Sequence, residues 1–308
     1  MASIPFILHD GDAFVVCEEA QAMLSALEPP IAVLAVAGKF RTGKSFLLNR
    51  LLGQQHGFEV GPTVEACTHG LMLWGTPVRG TLDDGTACTI VVMDTEGLGG
   101  HDKNEEYDAR VFSLATLLCS TLVYNSMGTI DEKAIASLSF VAKLSRYIQI
   151  SADRGVAAED DEDEDAESSE ITATFFPRFF WIVRDFALSL EHDDGDEMTE
   201  QDYLETALAE ADGFSEAVMA RNATRTTIKS FFRQRECATL VRPVDDEADL
   251  QRLDTLPFED LRPVFQDEMN AVRARVLNHI KAKTFRGANM SGAMLYDLAV
   301  AFVGAINR

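Results

Sequence analysis

Residues 35–48 read AVAGKFRTGKSFLL, and four of them stand at a spacing with a definite chemistry: Gly38, Gly43, Lys44 and Ser45 fit G-x-x-x-x-G-K-[ST]. In that pattern the backbone N–H groups of a short loop wrap phosphate oxygens, the lysine reaches the outer phosphates and the hydroxyl ligates a hard cation. The whole loop, Gly38, Lys39, Phe40, Arg41, Thr42, Gly43, Lys44, Ser45 and Phe46, is therefore a candidate cradle for a polyphosphate. Arg41, inside it, is not required by the pattern and needs its own explanation.

A polyphosphate bound this way is accompanied by magnesium, which takes oxygen ligands. Ser45 is the first candidate. The motif DTEG, Asp94 to Gly97, follows an apolar run, so Asp94 can hold the metal through a water while the Gly97 amide approaches a terminal phosphate. Thr68, in GPTVEACTHG, is the candidate for a hydroxyl that reaches the metal when a third phosphate is present. The guanine-reading N-K-x-D motif does not occur. WIVRDF instead puts Arg184 and Asp185 at the end of a strand, where nucleotide sites of parallel sheets lie. The Asp185 carboxylate is acceptor-only and suits the N1–H and amine of guanine, a donor pair that adenine lacks; the bland reading of an Arg-Asp pair is a surface ion pair.

The elements that must position these residues read as an α/β sheet covered on both faces. Strands are expected at 31–37, 71–77, 88–94, 121–126, 178–184 and 237–243, each rich in Val, Ile, Leu or Phe. The first runs into the phosphate loop, and KSFLLNRLL opens a helix whose N-terminal dipole faces the phosphates. Asp84-Gly85 is a hairpin signal between the second and third strands, which predicts an antiparallel pair in a mostly parallel sheet. Ile135, Leu138, Val141, Leu144 and Ile148 keep helical spacing after Asp131, a candidate N-cap, and Thr199 with Asp202 resembles a capping box. Leu295, Leu298, Phe302 and Ile306 form a last stripe, read as core packing or as a face that meets a further domain.

Composition narrows the classes. With 308 residues and 46% hydrophobic content the chain can build one large domain or two ordinary ones, and 1–308 is taken as a single domain. No apolar run approaches the roughly 20 residues of a spanning helix, and neither terminus carries a leader or lipidation pattern, so no direct membrane anchor is expected. The formal charge of -23 opposes nucleic acid and anionic lipid. Five cysteines, at 17, 67, 88, 119 and 237, make no C-x-x-C pair and predict free thiols in a reducing, cytoplasmic setting. Nine acidic residues between Glu159 and Glu170 mark 158–170 as a solvated insertion, and EHDDGDE at 191–197 reads the same way.

Together GKFRTGKSFLLNRLLG, GPTVEACTHGLMLW, VVMDTEGLG, FSLATLLCSTLVYNSMGTID, WIVRDFALSL, DYLETAL and IKSFFRQRECATLVRP resemble, in order, the guanylate-binding proteins, dynamin-related large GTPases. ECATLVRP and LQRLDTLPFEDLRP look closer to the plant and protist-like branch than to the animal one. The resemblance implies a three-layer P-loop NTPase fold and hydrolysis of GTP with Mg2+. It makes Lys44 the phosphate ligand, Ser45, Thr68 and Asp94 the metal site, Asp185 the guanine reader with Arg184 beside it, and about 241–255, with Arg242, a guanine cap. It also accounts for Arg41, as an internal arginine finger set in place when two GTPase domains meet in a nucleotide-dependent homodimer. Phosphoryl transfer builds charge that a guanidinium there relieves, for about 10³ to 10⁵ in rate. Glu96 is the candidate to orient the attacking water.

One departure cuts the other way. Where animal members carry a serine two residues before the switch threonine, this chain has Ala66, whose methyl group cannot hold a water. A slow, GTP-gated interaction module is the rival this supports, and an ATP-using P-loop enzyme is a third class. The family's long helical region has no counterpart in the 308 residues, which predicts a catalytic domain cut from a longer protein or a minimal member.

Overall fold

The computed structural model describes residues 3–11, 13–58, 68–99, 105–156, 176–192 and 195–308. In chain order the strands are β1 (Ser3–Asp10), β2 (Ala13–Val16), β3 (Ile31–Gly38), β4 (Leu71–Trp74), β5 (Val78–Thr81), β6 (Ala87–Thr95), β7 (Thr121–Met127), β8 (Arg178–Arg184), β9 (Arg235–Leu240), β10 (Thr284–Phe285) and β11 (Ala288–Asn289). The helices are α1 (Glu18–Leu24), α2 (Lys44–Leu51), α3 (Glu105–Leu118), α4 (Glu132–Val156), α5 (Glu200–Ala207), α6 (Glu216–Phe231), α7 (Glu247–Leu250), α8 (Pro263–Asn278) and α9 (Gly292–Ile306).

Among the described residues one sheet runs β2-β1-β4-β6-β3-β7-β8-β9, with β5 also on β6. The five strands from β6 to β9 are parallel; β1, β2, β4 and β5 extend the sheet antiparallel. β3, the strand that feeds the phosphate loop, lies between β6 and β7 and is buried along its whole length. Its alternation divides the core in two. Ile31, Val33, Ala35 and Ala37 face a cluster with α1, α3, α4 and α9, while Ala32, Leu34 and Val36 face one with α2 and α8. Two helical layers on a mixed, mostly parallel sheet is the α/β architecture expected.

The local signals act as their chemistry requires. Asp131 Oδ1 accepts the Ala134 N–H at 2.6 Å at the head of α4. Thr199 and Asp202 make a reciprocal capping box on α5. In the last stripe, Leu295, Phe302 and Ile306 are buried, which makes α9 a core helix.

Two expectations change. The strand at 71–77 ends at Trp74, and a separate β5 supplies the hairpin partner of β6 across Asp84-Gly85. β4 is still antiparallel to β6, Leu71 opposite Thr95, but through the longer connection. The strand at 237–243 begins at Arg235 and stops at Leu240. The opening residues, weighed above only as a leader, form β1, which pairs with β4 from Ser3 opposite Trp74. The acidic insertion 158–170, Cys67 and Ala66 lie outside the described residues.

Candidate functional site

The parallel strands β3, β6, β7 and β8 deliver their C-terminal ends to one edge of the sheet, and the loops there carry most of the residues singled out above. Gly38 ends β3 at a φ of 155°, and a Cβ there would lie 2.1 Å from the Asn125 carbonyl oxygen on β7, so no side chain fits. The loop then turns into α2 at Gly43. Lys44 is 7% exposed, and its ammonium donates to the Lys39 carbonyl at 3.2 Å. The Thr42 hydroxyl donates to the same carbonyl at 2.8 Å. Loop amides turned toward one concavity at a helix N-terminus form an anion site.

The loop is braced from beneath. Asn125 is fully buried, and its amide donates to the Thr42 carbonyl at 2.8 Å and to the Thr42 hydroxyl at 2.9 Å. Arg184, 5% exposed, donates through one guanidinium nitrogen to the Thr42 and Gly43 carbonyls, both at 3.2 Å. Burial pushes the Arg184 pKa down, partly offset by Asp185. Arg184 thus packs under the phosphate loop, against the Phe46 ring 5.4 Å away, and holds the loop's shape. Phe46 itself is 3% exposed in the α2/α8 core, so only its backbone is placed to meet a ligand. Sequence reasoning paired Arg184 with the base and passed over Asn125; a polar residue breaking the apolar run of the strand beside β3 is the signal that would have found it.

Three hydroxyl and carboxylate groups converge beside Lys44. Asp94 is 0% exposed, and its Oδ2 accepts from the Ser45 hydroxyl at 2.7 Å and the Thr68 hydroxyl at 3.0 Å. Burial pushes the Asp94 pKa up, and Lys44 is the first opposing influence. Burial likewise pushes the Lys44 pKa down, against the pull of Asp94, Glu96 and Asp108. One ammonium thus faces three carboxylates in a poorly solvated space, a charge balance that a divalent cation would correct. Among the described residues no three His, Cys, Asp or Glu side chains cluster as a metal site. A cation here would rest on the oxygens of Ser45, Thr68 and Asp94 with those of a ligand, a donor set fitting magnesium.

The segment after Asp94 is tied to the phosphate loop by backbone. Phe40 N–H donates to Leu98 O at 2.7 Å and Leu98 N–H to Gly38 O at 3.1 Å. A Cβ on Gly97 would lie 2.5 Å from Phe40 Cα and 2.8 Å from Lys44 Nζ, so glycine is required there. Glu96, 5% exposed, accepts the Gly70 N–H at 2.7 Å and the Tyr107 hydroxyl at 2.5 Å, both on Oε2.

On the outer side, Lys39 and Arg41 are exposed. Lys39 approaches Asp131 at 3.8 Å. Arg41 has a φ of 63°, a left-handed conformation rare for a side-chain-bearing residue, and its guanidinium sits 5.1 Å from the Phe40 ring centroid. Asp185, also left-handed at 52°, follows β8, and its Oδ1 is buried without a hydrogen-bond partner. An orphaned buried acceptor at a strand end is a place where a ligand's N–H would be satisfied. Arg242 follows β9, which pairs with β8 through Leu240 opposite Arg184, so it stands at the same end of the sheet. Its guanidinium comes within 4.0 Å of Glu247 at the start of α7. The structure therefore brings Lys44, Ser45, Thr68, Asp94, Glu96 and Gly97 together, sets Arg184 beneath them, leaves Arg41 exposed, and puts Asp185 and Arg242 at the same end of the sheet.

Comparison with known proteins agrees with this geometry. Residues 11–285 match the family described as guanylate-binding protein, N-terminal domain. Human guanylate-binding protein 6 is 36% identical across 100% of this chain and 47% of its own length. Human guanylate-binding protein 4 is 37% identical across 100% of this chain and 46% of its own. Mouse guanylate-binding protein 3 is 39% identical across 94% of this chain and 45% of its own. The chain spans about half the length of these curated relatives. All are mammalian, and nothing in them supports the plant and protist-like branch expected from the sequence. On the match across residues 11–285 and the identity along its whole length, the chain belongs to the guanylate-binding protein family.

Proposed function

We propose that this domain binds GTP and hydrolyses its terminal phosphoanhydride, and that two copies associate face to face when the site is loaded. The observation that carries the reading is the meeting of Ser45 and Thr68 on one oxygen of buried Asp94, beside buried Lys44. In this reading the loop amides and Lys44 hold the phosphates, and the Asp185 carboxylate accepts from the guanine N1–H and amine, with Oδ1, which lacks a partner, taking one of the two. Arg242 and the region of about 241–255 cover the base. Ser45, Thr68 and, through a water, Asp94 would hold magnesium, which supplies charge neutralisation on the phosphates.

Glu96 orients a water for attack on the γ-phosphorus. The new P–O bond forms as the bond to the bridging oxygen breaks, and the water's proton ends on the released phosphate. Arg41 reaches the transferring group in cis and relieves the charge that develops there. Its exposure and left-handed backbone support a group that a second copy sets in place. The domain reading of 1–308 and a cytoplasmic setting belong to the same proposal; Cys17, Cys88, Cys119 and Cys237 are free, which suits reducing conditions.

Phosphate release under multiple turnover with magnesium and GTP, in the presence and absence of excess ATP, tests it. Sustained release that ATP does not suppress is expected. Tight binding without release would favour a GTP-gated interaction module, and displacement by ATP would remove the guanine assignment.

A further inference from the structure

Tyr107 carries no motif, yet it reaches the centre of the site. From the first turn of α3 its hydroxyl donates to Glu96 Oε2 at 2.5 Å, the oxygen that also takes the Gly70 N–H at 2.7 Å. Burial and the neighbouring Glu96 push the phenol pKa up, so it remains a donor. The next residue, Asp108, accepts the Gly99 N–H. One helical turn thus grips both ends of the segment 96–99, which packs on the phosphate loop.

The ring is itself located by distant parts of the chain. It stacks on Phe14 at 5.5 Å and 14°, and meets His9 edge-on at 5.1 Å and 85°. Phe14 is pinned in turn by Asn307, just after α9: its N–H donates to Asn307 Oδ1 at 2.9 Å, and Asn307 Nδ2 donates to its carbonyl at 2.8 Å. A glutamate side chain has three rotatable bonds, and holding one carboxylate oxygen by two donors fixes where the other can go.

We propose that Tyr107 is a positioning residue for the hydrolysis assigned above: with the Gly70 amide it fixes Glu96 through Oε2, so that Oε1 is presented to the attacking water. The β1–β2 hairpin and the end of α9 hold the phenol in register through Phe14. The inference rests on the reading of Glu96 as the residue that orients water. It makes the carboxylate a director of the water, held in place by two donors on one oxygen.

Tyr107→Phe keeps the ring packing and removes only the donor. With full-length protein, kcat should fall about tenfold while KM stays within about twofold, the pattern of an interaction used in the transition state. Glu96→Gln should lower kcat about 10²-fold, and adding Tyr107→Phe to it should cost nothing further. The same loss from Tyr107→Phe on both backgrounds, or an unchanged kcat, overturns the proposal. Amide exchange in the peptide containing Gly70, followed in the nucleotide-free protein, separates this failure from failure of the function itself. Faster exchange in Tyr107→Phe supports the clamp even if the parent does not turn over; unchanged exchange overturns the clamp whatever the turnover.

Discussion

The inner and outer sides of the phosphate loop are built to opposite specifications. On the inner side Thr42, Lys44, Asn125 and Arg184 are all buried, and their hydrogen bonds fix the loop's carbonyls before any ligand arrives. On the outer side Lys39 and Arg41 are exposed, and the Lys39–Asp131 pair is half solvated at 46% and 51%. Exposed pairs of that kind hold little, about 0 to 1 kcal/mol. On the function proposed above, the difference separates two tasks. Ground-state binding can be preorganised by a single chain, whereas a group needed only in the transition state can stay outside until something places it.

The comparison can be broken at the rim first. Arg41→Ala should leave GTP affinity within about twofold and lower turnover by about 10³-fold or more, read by phosphate release. Equal losses of binding and turnover would merge the two sides. At the inner side Lys44→Ala should weaken GTP binding about 100-fold or more in a fluorescent-nucleotide titration, by removing a buried ammonium aimed at the outer phosphates. Asn125→Ala should cost binding about tenfold with little change in kcat, because it removes one of the two buried donors to the Thr42 carbonyl and the donor to the Thr42 hydroxyl. A loss confined to kcat would move Asn125 to the catalytic side.

Asp185→Asn should shift preference about tenfold from guanine toward xanthine nucleotides in competition binding, since the amide donates where the carboxylate accepted. Smallest of all, deleting Glu159 to Glu170 removes nine negative charges and should leave turnover within about twofold, with slightly tighter self-association at low salt. A collapse of activity would make that segment part of the site.

Much of this was legible in the residues themselves. β3 and β8 announced themselves as apolar runs, and RFFWIVR matches its strand from end to end, because strands buried on both faces leave no room for polar alternation. The meeting of Ser45, Thr68 and Asp94 could be anticipated because each sits in a recognisable local phrase. What could not be read depended on long-range partners. β1, broken by Pro5, earns its place only by pairing with β4 about 70 residues later. β5 reads VRGT, an edge strand with too few apolar residues to signal itself. Asn125 acts on a residue 83 positions away, and Arg184 on one 142 away. No spacing rule distinguishes an arginine that reads a base from one that props a loop.

The claim that joins these observations is that the domain binds alone and reacts in pairs. Specific GTPase activity of the parent, followed across a hundredfold range of protein concentration, tests it most directly, alongside the oligomeric state with GDP and aluminium fluoride. The account predicts activity that climbs with concentration to a plateau, and a dimer on the transition-state mimic that is absent with GDP alone. A specific activity independent of concentration, with a monomer on the mimic, would contradict it and leave Arg41 with only a structural part in the loop.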